Sequence, residues 1–301
     1  MSNIVLLAAC ILLGFGLRKS HRFPDAAPAT LNAFIIHISL PALIILQIHH
    51  IAMKPELMLS VAMPWMMFVL AVGFFYLLSR WLHFSRATTG ALMLSGGLAN
   101  TSFVGLPMIE AFFGRSNMGT GILIDQLGSY MVLNTLGITI AALYSDGPTS
   151  ASSVVKRIIV FPPLLALLTA LALTPVDLPD WSTDILKRLA DTLVPLALVS
   201  VGLQLRFEQV TNVKVALATG LSFKLLLAPA ALALLYFGLL GSTDETSRVT
   251  LFEAAMGPHI GGSIVAVQHN LNPPLVSLMV GIGITLSFIT LPAWSYLLHR
   301  L

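Results

Sequence analysis

The residues best equipped for chemistry in this sequence sit where a chain of this kind should be apolar. Lys224 lies in SFKLLLAP, Asp125 in ILIDQLG, and Glu253 and His259 in LFEAAMGPHIGG. An ionisable group at bilayer depth is costly unless it finds water or a partner, and marks a functional site by default. Lys224 either snorkels to an interface, steadies an opened helix, or balances the charge of a substrate. Asp125 and Glu253 either pair with Lys224 or titrate as proton carriers, because burial disfavours a bare carboxylate; Glu110, nearer an interface, is a third candidate. His259 follows Gly-Pro and belongs to a side-chain type that titrates near neutral pH. It can sense protons, bind a carboxylate, or stay neutral and bond freed backbone.

Two polar, glycine-rich clusters accompany these groups. Within Ala91–Gly114 stand Gly96, Gly97, Asn100, Thr101, Ser102, Gly105 and Pro107; within Arg248–Asn270 stand Gly257, Pro258, His259, Gly261, Gly262 and Ser263. Glycine costs about 1 kcal/mol and proline about 3 kcal/mol in a helix interior relative to alanine. Their concentration predicts that both segments open, which lipid tolerates only where the backbone is buried in protein or lines a wet cavity. Each reopened half-helix presents unpaired N–H groups and a partial positive charge, a ready anion site. Asn100, Thr101 and Ser102 would add side-chain donors, and Gly257, Gly261, Gly262 and Ser263 close backbone approach. The competing account is that the glycines only permit tight helix crossing. His37, Gln47, His49 and His50 read as structural or interfacial. No His/Cys/Asp/Glu cluster with metal spacing, phosphate-cradling loop or GxSxG elbow is present, so neither a metal, a cofactor nor an enzyme is expected.

The elements that hold these groups follow from composition. The 301 residues are 56% hydrophobic and 10% charged, with a mean hydropathy of +0.89. Soluble domains carry about 25% charged residues, so the chain is expected to be an all-α integral membrane protein. The net charge of +3 belongs to loop residues that set orientation, and nothing suggests nucleic acid. Ten spans are expected near Asn3–Leu17, Thr30–Ile48, Leu57–Leu82, Ala87–Phe113, Thr120–Tyr144, Ile158–Thr174, Leu186–Leu205, Val213–Leu240, Arg248–Asn270 and Pro273–His299. The turn-rich stretch Ser145–Lys156 falls between residues 1–145 and 146–301, two five-helix repeats. SLPALIILQI resembles LVPLALVSVGLQL, with Pro41 matching Pro195, and the interrupted fourth span pairs with the interrupted ninth. An odd number of spans per half inverts the second repeat, as in many secondary transporters. Lys and Arg are divided nine to six in favour of the loops after odd-numbered spans, which predicts both termini outside. Arg18, Lys19 and Arg22 follow the first apolar run, as suits a retained helix instead of a cleaved signal. Cys10 is the sole cysteine, so no intramolecular disulfide is expected.

LNAFIIHISLPALIIL, SGGLANTSFVGLPMIEAFFG, FKLLLAPAALALL and AAMGPHIGGSIVA together resemble the auxin efflux carrier family, bacterial membrane transporters related to the plant PIN-type carriers. The resemblance runs through nearly all of the chain. It implies a five-plus-five inverted repeat with crossed, discontinuous helices 4 and 9. It also implies a scaffold of helices 1, 2, 6 and 7, often dimeric, and a transport core of helices 3–5 and 8–10. Lys224 and Asn134 match a lysine and an asparagine of the family, and Asn134 is expected to face the break. The chain lacks the long hydrophilic loop and the Asn-Pro-Asn triplets of the plant carriers, which points away from auxin itself, and it carries His259 where a small or apolar residue is expected.

The expected function is secondary transport, in the direction of efflux, of a small organic anion such as a mono- or dicarboxylate across the plasma (bacterial inner) membrane. A homodimer would work by alternating access, core against scaffold, with proton or sodium coupling left open. Voltage favours export of negative charge by about 2.3 kcal/mol per charge per 100 mV. The alternatives are a sodium-coupled symporter or sodium/proton antiporter of similar fold and, from another class, a receptor or regulatory subunit that binds the anion without moving it.

Overall fold

A computed structural model describes residues 2–20, 22–24, 26–48, 55–145, 160–204 and 213–300. Among them the regular structure is helical, with one isolated antiparallel backbone bridge, Ala99 to Pro258. The helices are α1 (Ser2–Lys19), α2 (Ala27–Ile48), α3 (Pro55–Leu82), α4 (Arg86–Gly96), α5 (Thr101–Phe112), α6 (Arg115–Tyr144), α7 (Pro162–Leu173), α8 (Asp180–Ala190), α9 (Leu193–Gln204), α10 (Lys214–Leu239), α11 (Glu245–Ala254), α12 (Ile260–Gln268) and α13 (Pro273–Arg300). Five of them (α2, α3, α6, α10 and α13) are long and apolar enough to cross a bilayer. The chain is a multi-pass membrane protein. The expected seam loop beyond Ser145, together with His49 and His50, lies outside the described residues.

The local chemistry accounts for the boundaries. Ser85 caps α4, its hydroxyl accepting from the Thr88 N–H, and Asp244 caps α11, accepting from the Ser247 N–H. Arg18 and Lys19 close α1, where cations suit the helix end. One expected span needs correction. Leu186–Leu205 is not continuous: α8 ends at Ala190 and α9 starts at Leu193. Residues 180–190 form an amphipathic helix with Asp180 in its first turn and Lys187 and Arg188 in its last, and Thr192 bonds the Leu189 carbonyl at 2.6 Å. Charge at both ends satisfies a short surface helix by itself, so the apolar pattern resumes only at Leu193.

The chain divides into two compact units that do not follow the halves of the sequence: residues Met1–Lys54, Ser102–Ile122 and Val155–Leu205 in the first, and Pro55–Thr101, Leu123–Val154 and Arg206–Leu301 in the second. In the first, α1 and α9 touch backbone to backbone. A Cβ at Gly14 would lie 2.3 Å from the Val199 carbonyl oxygen, and one at Gly202 2.3 Å from that of Ile11. Small residues let membrane helices approach this closely where the hydrophobic effect gives no drive. In the second unit, polar side chains knit the helices. Tyr236 donates to the Leu59 carbonyl at 2.6 Å, Thr250 to Ser60 at 2.7 Å, Trp65 to the Leu127 carbonyl at 3.3 Å and Trp294 to the Leu225 carbonyl at 2.9 Å. Phe74, Phe75 and Phe223 stack between them.

Gly14→Leu and Gly202→Leu are each expected to lower the melting temperature of the detergent-solubilised protein, since overpacking costs about 1–3 kcal/mol. Gly73→Ala, inside α3 with no heavy atom within 4 Å of the added Cβ, should instead hold or raise it, since alanine is favoured over glycine by up to about 1 kcal/mol in a helix interior.

Candidate functional site

Both glycine-rich segments open. α4 ends at Gly96 and helix resumes at Thr101, and α11 ends at Ala254 and helix resumes at Ile260. The freed backbone pairs across the gap. Asn100 N–H donates to the Gly257 carbonyl at 2.9 Å, and His259 N–H donates to the Leu98 carbonyl at 3.2 Å. These two bonds frame the Ala99–Pro258 bridge. Glycines allow the approach: a Cβ at Gly97 would fall 2.4 Å from the Met93 carbonyl oxygen and 2.9 Å from the Ala71 Cβ, and one at Gly262 2.9 Å from the Leu94 carbonyl oxygen. Gly257 lies against Ile284 and Ser287 of α13, and Pro258 against Gly283. Gly96 faces the Phe75 ring.

The start of α12 is held by His259. Its Nδ1 accepts from the Gly262 N–H at 3.0 Å, so the ring is neutral and its proton sits on Nε2. The first intrahelical bond runs from the Ser263 N–H to the His259 carbonyl, and the Ser263 hydroxyl donates to the same oxygen. The N–H groups of Ile260 and Gly261 have no partner among the described residues. A helix N-terminus with two open donors, a third donor in the His259 ring and a partial positive charge can take an anion.

Beside the breaks lies a buried polar cluster. Thr101 donates to Asp125 Oδ1 at 2.5 Å, and Gln126 Nε2 donates to Asp125 Oδ2 at 2.7 Å. Lys224, fully buried, donates from Nζ to the Ala254 carbonyl at 2.8 Å, with Met67 Sδ 4.0 Å away. That carbonyl ends α11, where no intrahelical donor remains and a cation is favoured. Lys224 therefore stabilises an opened helix end and does not snorkel. Glu253 is also fully buried, and among the described residues neither of its carboxylate oxygens has a hydrogen-bond partner. Asp125 and Lys224 are near enough to interact with it electrostatically.

The other sequence candidates are placed as follows. Asn134 is buried and donates to the Tyr130 carbonyl of its own helix at 2.9 Å; its neighbour Leu133 packs on Gly261. Ser102, Gly105 and Pro107 belong to the first unit, with Pro107 in the opening turn of the regular part of α5, where a missing N–H does no harm. Glu110 belongs to the first unit. It lies 4.0 Å from Arg115, which bonds Asp191 at 2.7 Å, beside a cavity of about 360 Å³ lined by Leu43, Pro107, Met118 and Pro195. Sequence reasoning missed Gln126. An amide next to Asp125 inside an apolar span is the signal that pointed to it.

Long apolar helices, two interrupted segments joined by backbone, and ionisable groups buried beside the join are the anatomy of a membrane transporter. A family model described as membrane transport protein matches residues 1–146 and 148–295. The chain belongs to that family, the auxin efflux carrier family. It is 27% identical over 300 residues to an uncharacterized transporter of Methanothermobacter thermautotrophicus, covering 98% of this chain and 97% of the relative. It is 23% identical over 310 residues to an uncharacterized transporter of Methanocaldococcus jannaschii, covering 99% and 98%.

Two substitutions probe the site by thermal unfolding. His259→Ala removes the cap of α12 and should destabilise by about 0.5–2 kcal/mol, with His259→Asn losing less. Lys224→Ala strips the Ala254 carbonyl of its donor and should cost about 1–3 kcal/mol, whereas Lys214→Ala, at an exposed position, should stay within about 0.5 kcal/mol of wild type.

Proposed function

We propose that the protein is a secondary transporter that exports a small organic anion, a mono- or dicarboxylate, with the substrate carboxylate held at the head of α12. The observation that carries this reading is the pair of open N–H groups on Ile260 and Gly261 beside the neutral His259 ring. Oriented backbone donors at a helix start bind carboxylates without any arginine. Ser263 and Asn100, both buried, stand on the two paired segments and complete the polar lining.

In this reading the chain is a ten-span, five-plus-five inverted repeat. Helices 3–5 and 8–10 form the transport core, and helices 1, 2, 6 and 7 form the scaffold of a homodimer in the plasma membrane, with both termini outside. Alternating access comes from movement of the core against the scaffold. Lys224 keeps the end of α11 fixed while the site changes its exposure, and the membrane potential favours the outward step for a negative charge. Support comes from membership in a family of transporters and from the two opened segments being joined by hydrogen bonds.

A panel of mono- and dicarboxylates should contain compounds that raise the melting temperature of the purified protein. A ligand at a hundred times its Kd adds about 2.7 kcal/mol. The stabilising compounds should then move across proteoliposomes. Gly261→Leu, whose side chain meets the His259 ring and Leu133, and Asn100→Ala should each abolish that flux while the protein remains folded in the membrane. Wild-type flux in both variants, or stabilisation without flux in the wild type, removes the reading.

A further inference from the structure

The two buried acids are not equivalent. Both oxygens of Asp125 are occupied by donors, from Thr101 at 2.5 Å and Gln126 at 2.7 Å. Hydrogen bonds of this kind hold a carboxylate in its charged form. Glu253 has the same depth and none of the donors: it is fully buried, and among the described residues both its oxygens are without a partner. Among the described residues Lys224 is the cation that acts on Glu253, and it cannot serve both acids. The Lys224 ammonium is directed at the Ala254 carbonyl, and two carboxylates against one ammonium leave a net negative charge in a dry interior.

Three unpartnered buried atoms belong to Glu253 and to the amide beside Asp125, and all three are acceptors. Glu253 Oε1 and Oε2 lack a donor, and so does Oε1 of Gln126, whose amide is tied to Asp125 and whose residue is 1% exposed. At these three oxygens what is missing is a donor hydrogen. A proton on Glu253 removes the excess charge and converts one orphaned acceptor into a donor in a single step. Among the described residues, the elements packed on α11 present no competing base. Met67 on α3 is a thioether beside Lys224, and Ser287 on α13 donates to its own helix at the Ile284 carbonyl. Tyr236 on α10 is spent on the Leu59 carbonyl. His259 has its Nδ1 filled by the Gly262 N–H. On α11 itself Arg248 stands five residues earlier, on a different face.

We propose that Glu253 carries an exchangeable proton, and that this proton travels with the anion. The step is Glu253–COOH ⇌ Glu253–COO⁻ + H⁺, with no other bond made or broken. Coupling follows from charge. An anion arriving at the neighbouring break makes a bare Glu253 carboxylate costlier still, so anion and proton are bound together and released together. A dianion accompanied by one proton still carries one negative charge outward. The coupling rests on the anion reading above; the proton on Glu253 does not.

Infrared difference spectroscopy of the purified protein during a pH titration reads that proton without any substrate. The wild type should show the carbonyl stretch of a protonated carboxylic acid, shifted in D₂O and lost as the pH is raised. The band should be absent from Glu253→Gln, a near-isosteric change, and retained in Asp125→Asn. A titration that never shows the band, a band that survives Glu253→Gln, or one lost only in Asp125→Asn overturns the proposal. Melting temperatures in sodium and choline chloride form the second arm. Sodium-specific stabilisation that vanishes in Glu253→Gln gives the pocket to a metal ion and also overturns it. If the band behaves as expected and no carboxylate stabilises the protein, the anion reading fails and the proton on Glu253 stands.

Discussion

Two backbone hydrogen bonds, Asn100 to Gly257 and His259 to Leu98, make the rest of this architecture possible. A helix opened inside a bilayer exposes amides that lipid cannot satisfy, and a buried donor or acceptor left alone costs about 1–3 kcal/mol. Two opened helices that lend each other donors and acceptors relieve that cost where each would fail by itself. The price is proximity, and it falls on side chains: Gly97, Gly257 and Gly262 stand where a Cβ would press on a neighbouring helix or its own preceding turn. Pro258, with no N–H to satisfy, sits at the bridge itself.

The charged groups answer the same demand at the other loose ends. Lys224 fills the carbonyl at the end of α11, and His259 fills an amide at the start of α12. Between those two repairs, the Ile260 and Gly261 amides stay open. The candidate site is thus the part of the opened backbone that the protein leaves unrepaired. Asp125 reaches the same region through Thr101, so both opened segments are tied to the buried acids as well as to each other.

The breaks were legible because glycine, proline and polar residues crowded into the middle of an apolar run admit few explanations. The groups beside them were legible because a lysine and two acids in apolar runs need partners. The partners themselves were not. Lys224 bonds a carbonyl, which has no sequence signature, and neither the Gln126 amide nor the capping use of the His259 ring follows from spacing. Hydropathy also merged α8 with α9, because Leu186, Leu189 and Ala190 supply apolar residues to an amphipathic helix as readily as to a span. Glu110 resembled the buried acids in the sequence, yet its helix brings it to Arg115.

Helical phase supplies one more constraint. Asp125 and Asn134 lie nine residues apart in α6, about half a turn out of register on an ideal α-helix at 3.6 residues per turn. Both are nevertheless buried. The segment between them contains two π turns, Ile124–Ser129 and Leu133–Gly137, and wider turns slow the rotation of the chain, drawing the two side chains back toward one side. In α10 another such turn, Phe223–Leu227, carries Lys224. Removing a single residue from any of these turns would therefore act less as a shortening than as a twist, re-aiming every side chain downstream of it.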